Sequence, residues 1–433
     1  MLIKRATLLD GTIADIRVDE QILDAGDLTP NQGEQVLDAA GATVIPGLHD
    51  HHVHLRSAAA ALTSARVGPP EVKGRDDLAR ALAEAPVGGD GWIRAVGYHE
   101  AVAGPLDRHV LDEVSPALPV RVQHRSGVLW TLNSVGLARV GLTDHPDGRL
   151  RSADRTWSDT LQRNESGLAE VSRRLAECGV TGVTDATPDF EVSDIVKLMQ
   201  AHRHGELLQR VYCLAPGKRI LHDGDLDLDK LTDWMAERHA ADAPVAVHCV
   251  TAAQLVVTLS ALQAAGTHPQ DRIEHAAVVP DDSMADLRNL KVTVVTQPNF
   301  VAERGDQYLT DVPEAEHHEL WRLRSLLTSG IKVALSTDMP FGDGNPWATM
   351  RAAVHRTTAA GAVFGPDECV SAREALTMFF GTSTQPTRPR AIQNGQPGDL
   401  CVLAAPPEEV LNELDAQMVA ATVVAGEVVF ERR

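Results

Sequence analysis

Val44-Ile45-Pro46-Gly47-Leu48-His49-Asp50-His51-His52-Val53-His54-Leu55 is the stretch that decides how this chain reads. An apolar run, broken by a Pro-Gly turn, ends in His-x-His. On a strand, residues i and i+2 point to the same side. His52 and His54 can therefore reach one point just beyond the strand end, as two ligands of one metal ion must. A bare His-x-His also arises by chance in turns. Here the strand reads as buried, and single polar residues end four later strands: Lys218, His248, His275 and Asp338.

Working outward, the segments on either side of this stretch differ in character. Residues 1–46 alternate short β-rich pieces with turn signals such as Asp10-Gly11 and Asn31-Gln32-Gly33, and residues 386–433 do the same around Leu400–Leu403 and Ala421–Phe430. Neither end has enough strands to close a core alone. The two are expected to pair as one small discontinuous β-sandwich domain, with residues 47–385 inserted between its halves. That middle alternates strands with helices, the pattern of parallel βα units. Strands are expected near 45–54, 180–185, 209–215, 217–221, 244–248, 272–275, 292–297 and 331–338. Eight such strands make an α/β fold of the (β/α)8 barrel type, with chemistry at the strand C-terminal ends. An irregular insertion is expected at about 56–165, a helix over Glu165–Cys178, and a long loop from Glu303 to Asp311.

Composition narrows the class. With 433 residues, 43% hydrophobic and 23% charged, the chain is of ordinary globular make-up and can bury a large core. A formal net charge of -20 argues against nucleic-acid and anionic-membrane partners. Five scattered cysteines without a CxxC pair argue against a disulfide framework and fit a reduced cytoplasm. Neither a signal-peptide h-region nor a transmembrane run of 18 apolar residues is evident.

The chemistry rests on convergence. His248 ends Val245-Ala246-Val247, His275 ends Arg272-Ile273-Glu274, and Asp338 ends Val333-Ala334-Leu335-Ser336-Thr337. A lone polar residue at a strand end is usually a cap. Together with His52 and His54, these supply nitrogen and carboxylate ligands suited to Zn²⁺, or less selectively to Fe²⁺, Mn²⁺ or Co²⁺.

Pro46-Gly47-Leu48-His49-Asp50-His51-His52-Val53-His54, Gly179–Ala186, the His248 and Arg272–His275 strands, Ser336-Thr337-Asp338 and Gly395–Leu400 together resemble the amidohydrolase superfamily, in the branch that includes N-substituted formamide deformylases. The resemblance covers nearly the whole chain. It implies that His52, His54, His248 and His275 are metal ligands and that Asp338 is both ligand and general base. It also implies a fourth-strand lysine, here Lys218, carboxylated to bridge two ions. Arg219 follows Lys218, and a register slip of one residue would turn the other side chain inward. Both readings of Lys218, bridging ligand and surface loop residue, stay open, and with them one ion or two. The resemblance further implies a homodimer and a small-molecule substrate.

The implied activity is hydrolysis of a C–N bond in an amide, formamide, lactam or carbamate. A metal-activated hydroxide would attack the carbonyl, and Asp338 would take up the proton and deliver it to the leaving group. An alternative is a mononuclear aminohydrolase that deaminates a heterocycle. Related deaminases carry a glutamate shortly after the fifth-strand histidine, where this chain has Cys249-Val250-Thr251-Ala252-Ala253-Gln254 without an acid. From another class comes a non-catalytic barrel of the same fold. Tyr98-His99-Glu100 and His124-Arg125-Ser126, each after an apolar run, either line the substrate pocket or tie the insertion together. Arg304, in the segment after the seventh strand, is a further candidate at the mouth.

Overall fold

Leu48–Val53, the strand that carries His52, is buried along its whole length, as a parallel strand covered on both faces must be. In the computed structural model, residues 1–115, 117–151, Trp157, Leu161 and 167–432 are described. Leu48–Val53 pairs in parallel with Val180–Asp185, which pairs with Arg210–Cys213. Five more parallel strands follow in a second sheet: Lys218–Ile220, Ala246–Cys249, Arg272–His275, Thr293–Thr296 and Lys332–Leu335. These are the eight strands expected from the sequence, in two hydrogen-bonded sheets of an α/β fold. An isolated parallel bridge joins Val53 to Met339, beyond the end of the last strand.

Pro46 and Gly47 shape the entry to the His52 strand. A Cβ on Gly47 would lie 2.2 Å from Thr181 Cγ2, so only glycine lets the chain pass this close to its neighbour. The two chain ends hydrogen-bond to each other: Leu400–Leu403 runs antiparallel to Thr43–Pro46 and to Val419–Val424. One eight-stranded hydrogen-bonded sheet connects all the terminal strands, a path of seven with Val36–Asp38 branching from Leu2–Thr7. It stays continuous because Leu2–Thr7 shifts register between Ile3 and Ala6, where Arg5 has φ 55°. One edge of that strand can then meet both Val36–Asp38 and Thr43–Pro46. Ile3, Ile16, Val18 and Val44 share a core with Leu400, Val402 and Val423.

Asp15 locks this sheet. Its carboxylate accepts from Lys4 Nζ at 2.6 Å, Arg5 N at 2.8 Å and Leu28 N at 3.0 Å. The Lys4 ammonium and the Arg5 amide hold its pKa down at about 2. A depressed carboxylate pKa stabilises the fold above the unfolded value near 4 and loses that contribution as pH falls toward 2. Asp15→Asn should therefore lower the unfolding free energy by about 1–2 kcal/mol at pH 7. In urea melts the difference from wild type should close between about pH 4 and 2. A difference that stays constant with pH would refute the charged lock.

By its internal contacts the chain divides into Met1–His54 with Ser172–Arg433, and Leu55–Val171. The second unit is not irregular. It has a five-stranded sheet in which Ile93–Tyr98 and Val120–His124 pair in parallel and Leu129–Leu132 adds antiparallel. Ile93, Ala95, Val120 and Val122 face a core with Leu78, Leu82 and Leu111. The apolar runs before His99 and His124 are these strands, and their pairing is what the sequence does not show.

Two other expectations change. Asn299–Asp311 is a helix, so Glu303–Asp311 is no loop. Its polar run Glu303-Arg304-Gly305-Asp306 hides an apolar face built from Phe300, Val301 and Tyr308. The helix expected over Glu165–Cys178 is seen over Leu168–Glu177, and Glu165 and Ser166 lie outside the described residues. No helix among the described residues is long and apolar enough to cross a membrane.

Candidate metal centre

Alternation along Leu48–Val53 puts Asp50 and His52 on one side, and His54 continues the series one step past the strand. Asp338 is brought to them from the far end of the sequence. Its backbone N–H donates to His52 O at 3.0 Å, and His54 N–H donates to Met339 O at 2.8 Å. Beneath, Asp50 accepts from Thr337 Oγ1 at 2.5 Å and Thr337 N at 3.1 Å. The two strand ends are clamped together by these backbone and carboxylate hydrogen bonds.

Within this clamp Asp338 Oδ1 lies 3.5 Å from His52 Nε2 and 3.4 Å from His54 Nε2. All three residues are buried, and their ligand atoms lie within 4.8 Å of one another. Asp338 Oδ1 is a buried oxygen without a hydrogen bond among the described residues. Such an oxygen is costly unless something positive meets it.

His275 and His248 complete the cluster. The His275 ring centroid is 4.8 Å from that of His52 and 4.5 Å from that of His248. Strict alternation would send Glu274 and His275 to opposite faces, yet both reach His52. The chain leaves the strand with φ 72° at His275 and 48° at Ala276, which turns the imidazole back inward. Asp338 also has a left-handed φ of 57°. Non-glycine residues in this region are strained by roughly 1–2 kcal/mol each, and such strain gathers at functional sites. Burial holds the His52 and His275 imidazoles well below their usual pKa, so both are neutral and offer lone pairs.

Lys218 is buried, with Nζ 3.1 Å from His52 Nε2. The surface-loop reading therefore fails. Register decides it: Lys218 pairs with Ala246, and Arg219 takes the opposite face, stacked 4.4 Å from the Trp234 ring. Burial lowers the Lys218 pKa to about 8, against the pull of Glu274, Asp338 and Asp185. No helix lies between Cys213 and Lys218.

Several supporting residues escaped the reading of the sequence. His54 Nδ1 meets Thr187 Oγ1 at 3.1 Å, His275 Nδ1 meets Gln297 Oε1 at 2.8 Å, and His52 Nδ1 meets the Glu274 carboxylate. The available signal was Arg272-x-Glu274, two charges on one side of a strand buried throughout. Arg304 sits on the Asn299–Asp311 helix, 3.9 Å from the Phe300 ring centroid, and donates to Phe341 O at 2.6 Å. The Phe341 ring stands edge-on to His54 at 5.2 Å. Arg304 thus borders the centre through Phe341.

His99, Glu100, His124 and Arg125 lie in the Leu55–Val171 unit. His124 Nε2 is 3.0 Å from Glu100 Oε2, and His99 Nε2 is 3.9 Å from it. Three ligand atoms this close could in principle hold an ion. Their tautomers oppose it. His99 Nδ1 accepts from Ala101 N and His124 Nδ1 from Ser126 N, so in each neutral ring the proton is on Nε2, facing the carboxylate. Arg125 N–H donates to Tyr98 O, joining the two strand ends.

The donor set around Asp338 (imidazole nitrogens, a carboxylate and one lysine) suits a divalent transition ion. The sequence profile of the amidohydrolase family matches residues 35–430. The chain belongs to the amidohydrolase family. This amidohydrolase is 25% identical to the N-substituted formamide deformylase of Arthrobacter pascens, over 92% of this chain and 90% of that protein. It is 24% identical to the protein LONG AFTER FAR-RED 3 of Arabidopsis thaliana, over 75% and 70% respectively. Among solved structures, a metal-dependent hydrolase from Pyrococcus furiosus superposes with TM-score 0.70 at 22% identity, covering 94% of this chain and 99% of that one. Membership makes this protein a hydrolase of carbon–nitrogen bonds acting on small molecules.

Proposed function

We propose that this amidohydrolase cleaves an amide, formamide, lactam or carbamate at a divalent metal centre held by His52, His54, His248, His275 and Asp338, with Lys218 beside it. The observation that carries the reading is Asp338 Oδ1, buried, without a hydrogen-bond donor among the described residues and 3.4–3.5 Å from two imidazole nitrogens. A bound Zn²⁺ or similar ion would lower the pKa of a water and polarise the scissile carbonyl. Asp338 takes the proton as the carbonyl is attacked and returns it to the leaving nitrogen. His52, His54 and His275 stay oriented through that step because each Nδ1 is already engaged. Lys218, buried against His52 Nε2, is suited to carboxylation, which would remove its positive charge and supply a further carboxylate to the centre.

The amide-cleaving relative from Arthrobacter pascens supports the formamide end of this substrate range. The deaminase alternative has less support. After His248, Gln254 is occupied with Val250 N and Asp223, and no carboxylate stands in Cys249–Gln254. The same reading takes the eight parallel strands as a closed (β/α)8 barrel, and residues 1–46 with 386–433 as a small appended domain. The Val53–Met339 bridge and the core common to both chain ends support these. Five unpaired cysteines favour a reducing compartment.

Elemental analysis of protein purified without chelators is expected to find one or two equivalents of metal per chain. Lys218→Ala alongside separates the two counts, since only a bridging lysine would lower the stoichiometry. His275→Ala should lose most of the metal and nearly all hydrolysis of N-substituted formamides, with its circular dichroism unchanged. Full metal and full activity in His275→Ala would overturn the ligand set.

A further inference from the structure

His52 is held differently from His54 and His275. Thr187 and Gln297, the Nδ1 partners of His54 and His275, are neutral, whereas His52 Nδ1 meets the carboxylate of Glu274. That carboxylate is fully buried, as is His52. Glu274 is itself fixed. Arg272 Nε donates to its Oε1 at 2.7 Å and Arg272 Nη2 to its Oε2 at 3.1 Å, and the same Nη2 donates to His51 O at 2.6 Å. The guanidinium therefore ties the carboxylate to the backbone of the strand that bears His52. Such a chain leaves the imidazole one orientation, with the Nδ1 proton on Glu274 and the Nε2 lone pair facing Asp338 Oδ1 and Lys218 Nζ.

Register explains how the three residues meet. Glu274 is level with His248 in the parallel sheet, and Arg272 is level with Ala246 and Lys218. Arg272 and Glu274, two positions apart, share the face that carries Lys218 and His248. Burying two charges in the middle of a sheet is costly. A hydrophobic pair would have packed there at less cost, so the charges point to a role beyond packing.

We infer that Glu274 is a positioning residue for the metal centre, acting through His52 and held in place by Arg272. This rests on the metal reading proposed above. A carboxylate behind a ligating imidazole fixes its tautomer and makes the outer nitrogen a better donor, and losing such a partner typically weakens metal affinity 10–100-fold. Thr187 and Gln297 can orient their rings but add no negative charge. Glu274 therefore makes His52 a stronger donor than His54 or His275.

The test compares wild type, Glu274→Gln and the double variant Arg272→Met/Glu274→Gln. The double variant removes the guanidinium that Glu274→Gln alone would leave unpaired, so that a folded protein is available for comparison. Three readouts are taken: Zn²⁺ affinity by competition with a chromophoric chelator, the visible spectrum after Co²⁺ loading, and the melting temperature of the metal-free protein. Glutamine still accepts from His52 Nδ1 but carries no charge. Affinity should fall roughly 10–100-fold in each folded variant, with altered Co²⁺ bands. A merely structural ion pair would lower the metal-free melting temperature and leave affinity and spectrum unmoved. Wild-type affinity and Co²⁺ bands in either folded variant would overturn the inference while the metal centre stands. A wild type that takes up no Zn²⁺ or Co²⁺ would instead bring down the metal reading, and this inference with it.

Discussion

Asp338→Asn is expected to lower kcat/KM for N-substituted formamides by roughly 10²–10⁴-fold, the range that a positioned general base contributes, while most of the metal stays bound. The substitution isolates the chemistry because little else at the position changes. Asparagine has nearly the same shape and tolerates a left-handed backbone, so φ 57° is kept without new strain. The Asp338 N–H to His52 O hydrogen bond does not involve the side chain. Thr337 remains anchored on Asp50. What is lost is an oxygen that can carry a proton between the attacking and leaving groups. An amide oxygen can still face the centre, and the histidines retain their Nδ1 partners, hence the retained metal. Steady-state kinetics with metal analysis on the same preparation checks both halves. Full activity would remove Asp338 from the role of base.

The His52 strand was legible because three independent signals coincide there: a Pro-Gly entry, a buried strand and period-2 histidines. Strand existence was equally legible for the other seven parallel strands, whose apolar runs are bounded by polar ends. Lys218 was ambiguous for a physical reason. Its strand is short (Lys218–Ile220) and begins directly after a turn, so no periodicity existed to say which side chain faces inward. Only the pairing with Ala246 decides it. Glu274 was missed because a rule of alternation assigns adjacent residues to opposite faces. His275 was the obvious candidate, and the left-handed turn that brings both residues to His52 leaves no mark in composition. The Asn299–Asp311 helix was hidden by the run Glu303-Arg304-Gly305-Asp306, three charged residues and a glycine, since its burial depends on tertiary neighbours. The sheet within Leu55–Val171 was not legible because its pairing joins runs distant in sequence.

These examples separate two kinds of information. Ligand types and strand ends follow from local pattern, because a strand end is a one-dimensional feature. The orientation of a ligand follows from a partner distant in sequence: Asp50 with Thr337, His54 with Thr187, and His52 with Glu274. A centre of this kind is thus visible early as a set of donors, and its supporting contacts become visible only with the fold.

Trp347→Ala is expected to lower the unfolding free energy by roughly 3–5 kcal/mol, the range for truncating a buried aromatic. Trp347 is fully buried, and its indole N–H donates to Cys178 O at 2.9 Å. Truncation would leave a cavity and an unpaired carbonyl, two costs that add. It lies in the first turn of the helix Pro346–His355, where Asn345 caps Trp347 N and proline fixes the opening turn. That helix follows the segment bearing Asp338 and Phe341, so its anchorage bears on the centre as well as on stability. Domains of this size are stable by only about 5–15 kcal/mol, and the variant should melt well below wild type. Trp347→Phe should recover much of the loss through packing, although it cannot restore the hydrogen bond to Cys178. A melting temperature for Trp347→Ala within a degree or so of wild type would mean that the helix is held by other contacts. In that event the loop after Asp338 would be fixed by its other contacts, among them His54 N–H to Met339 O, Arg304 to Phe341 O and Asp343 N–H to Glu303.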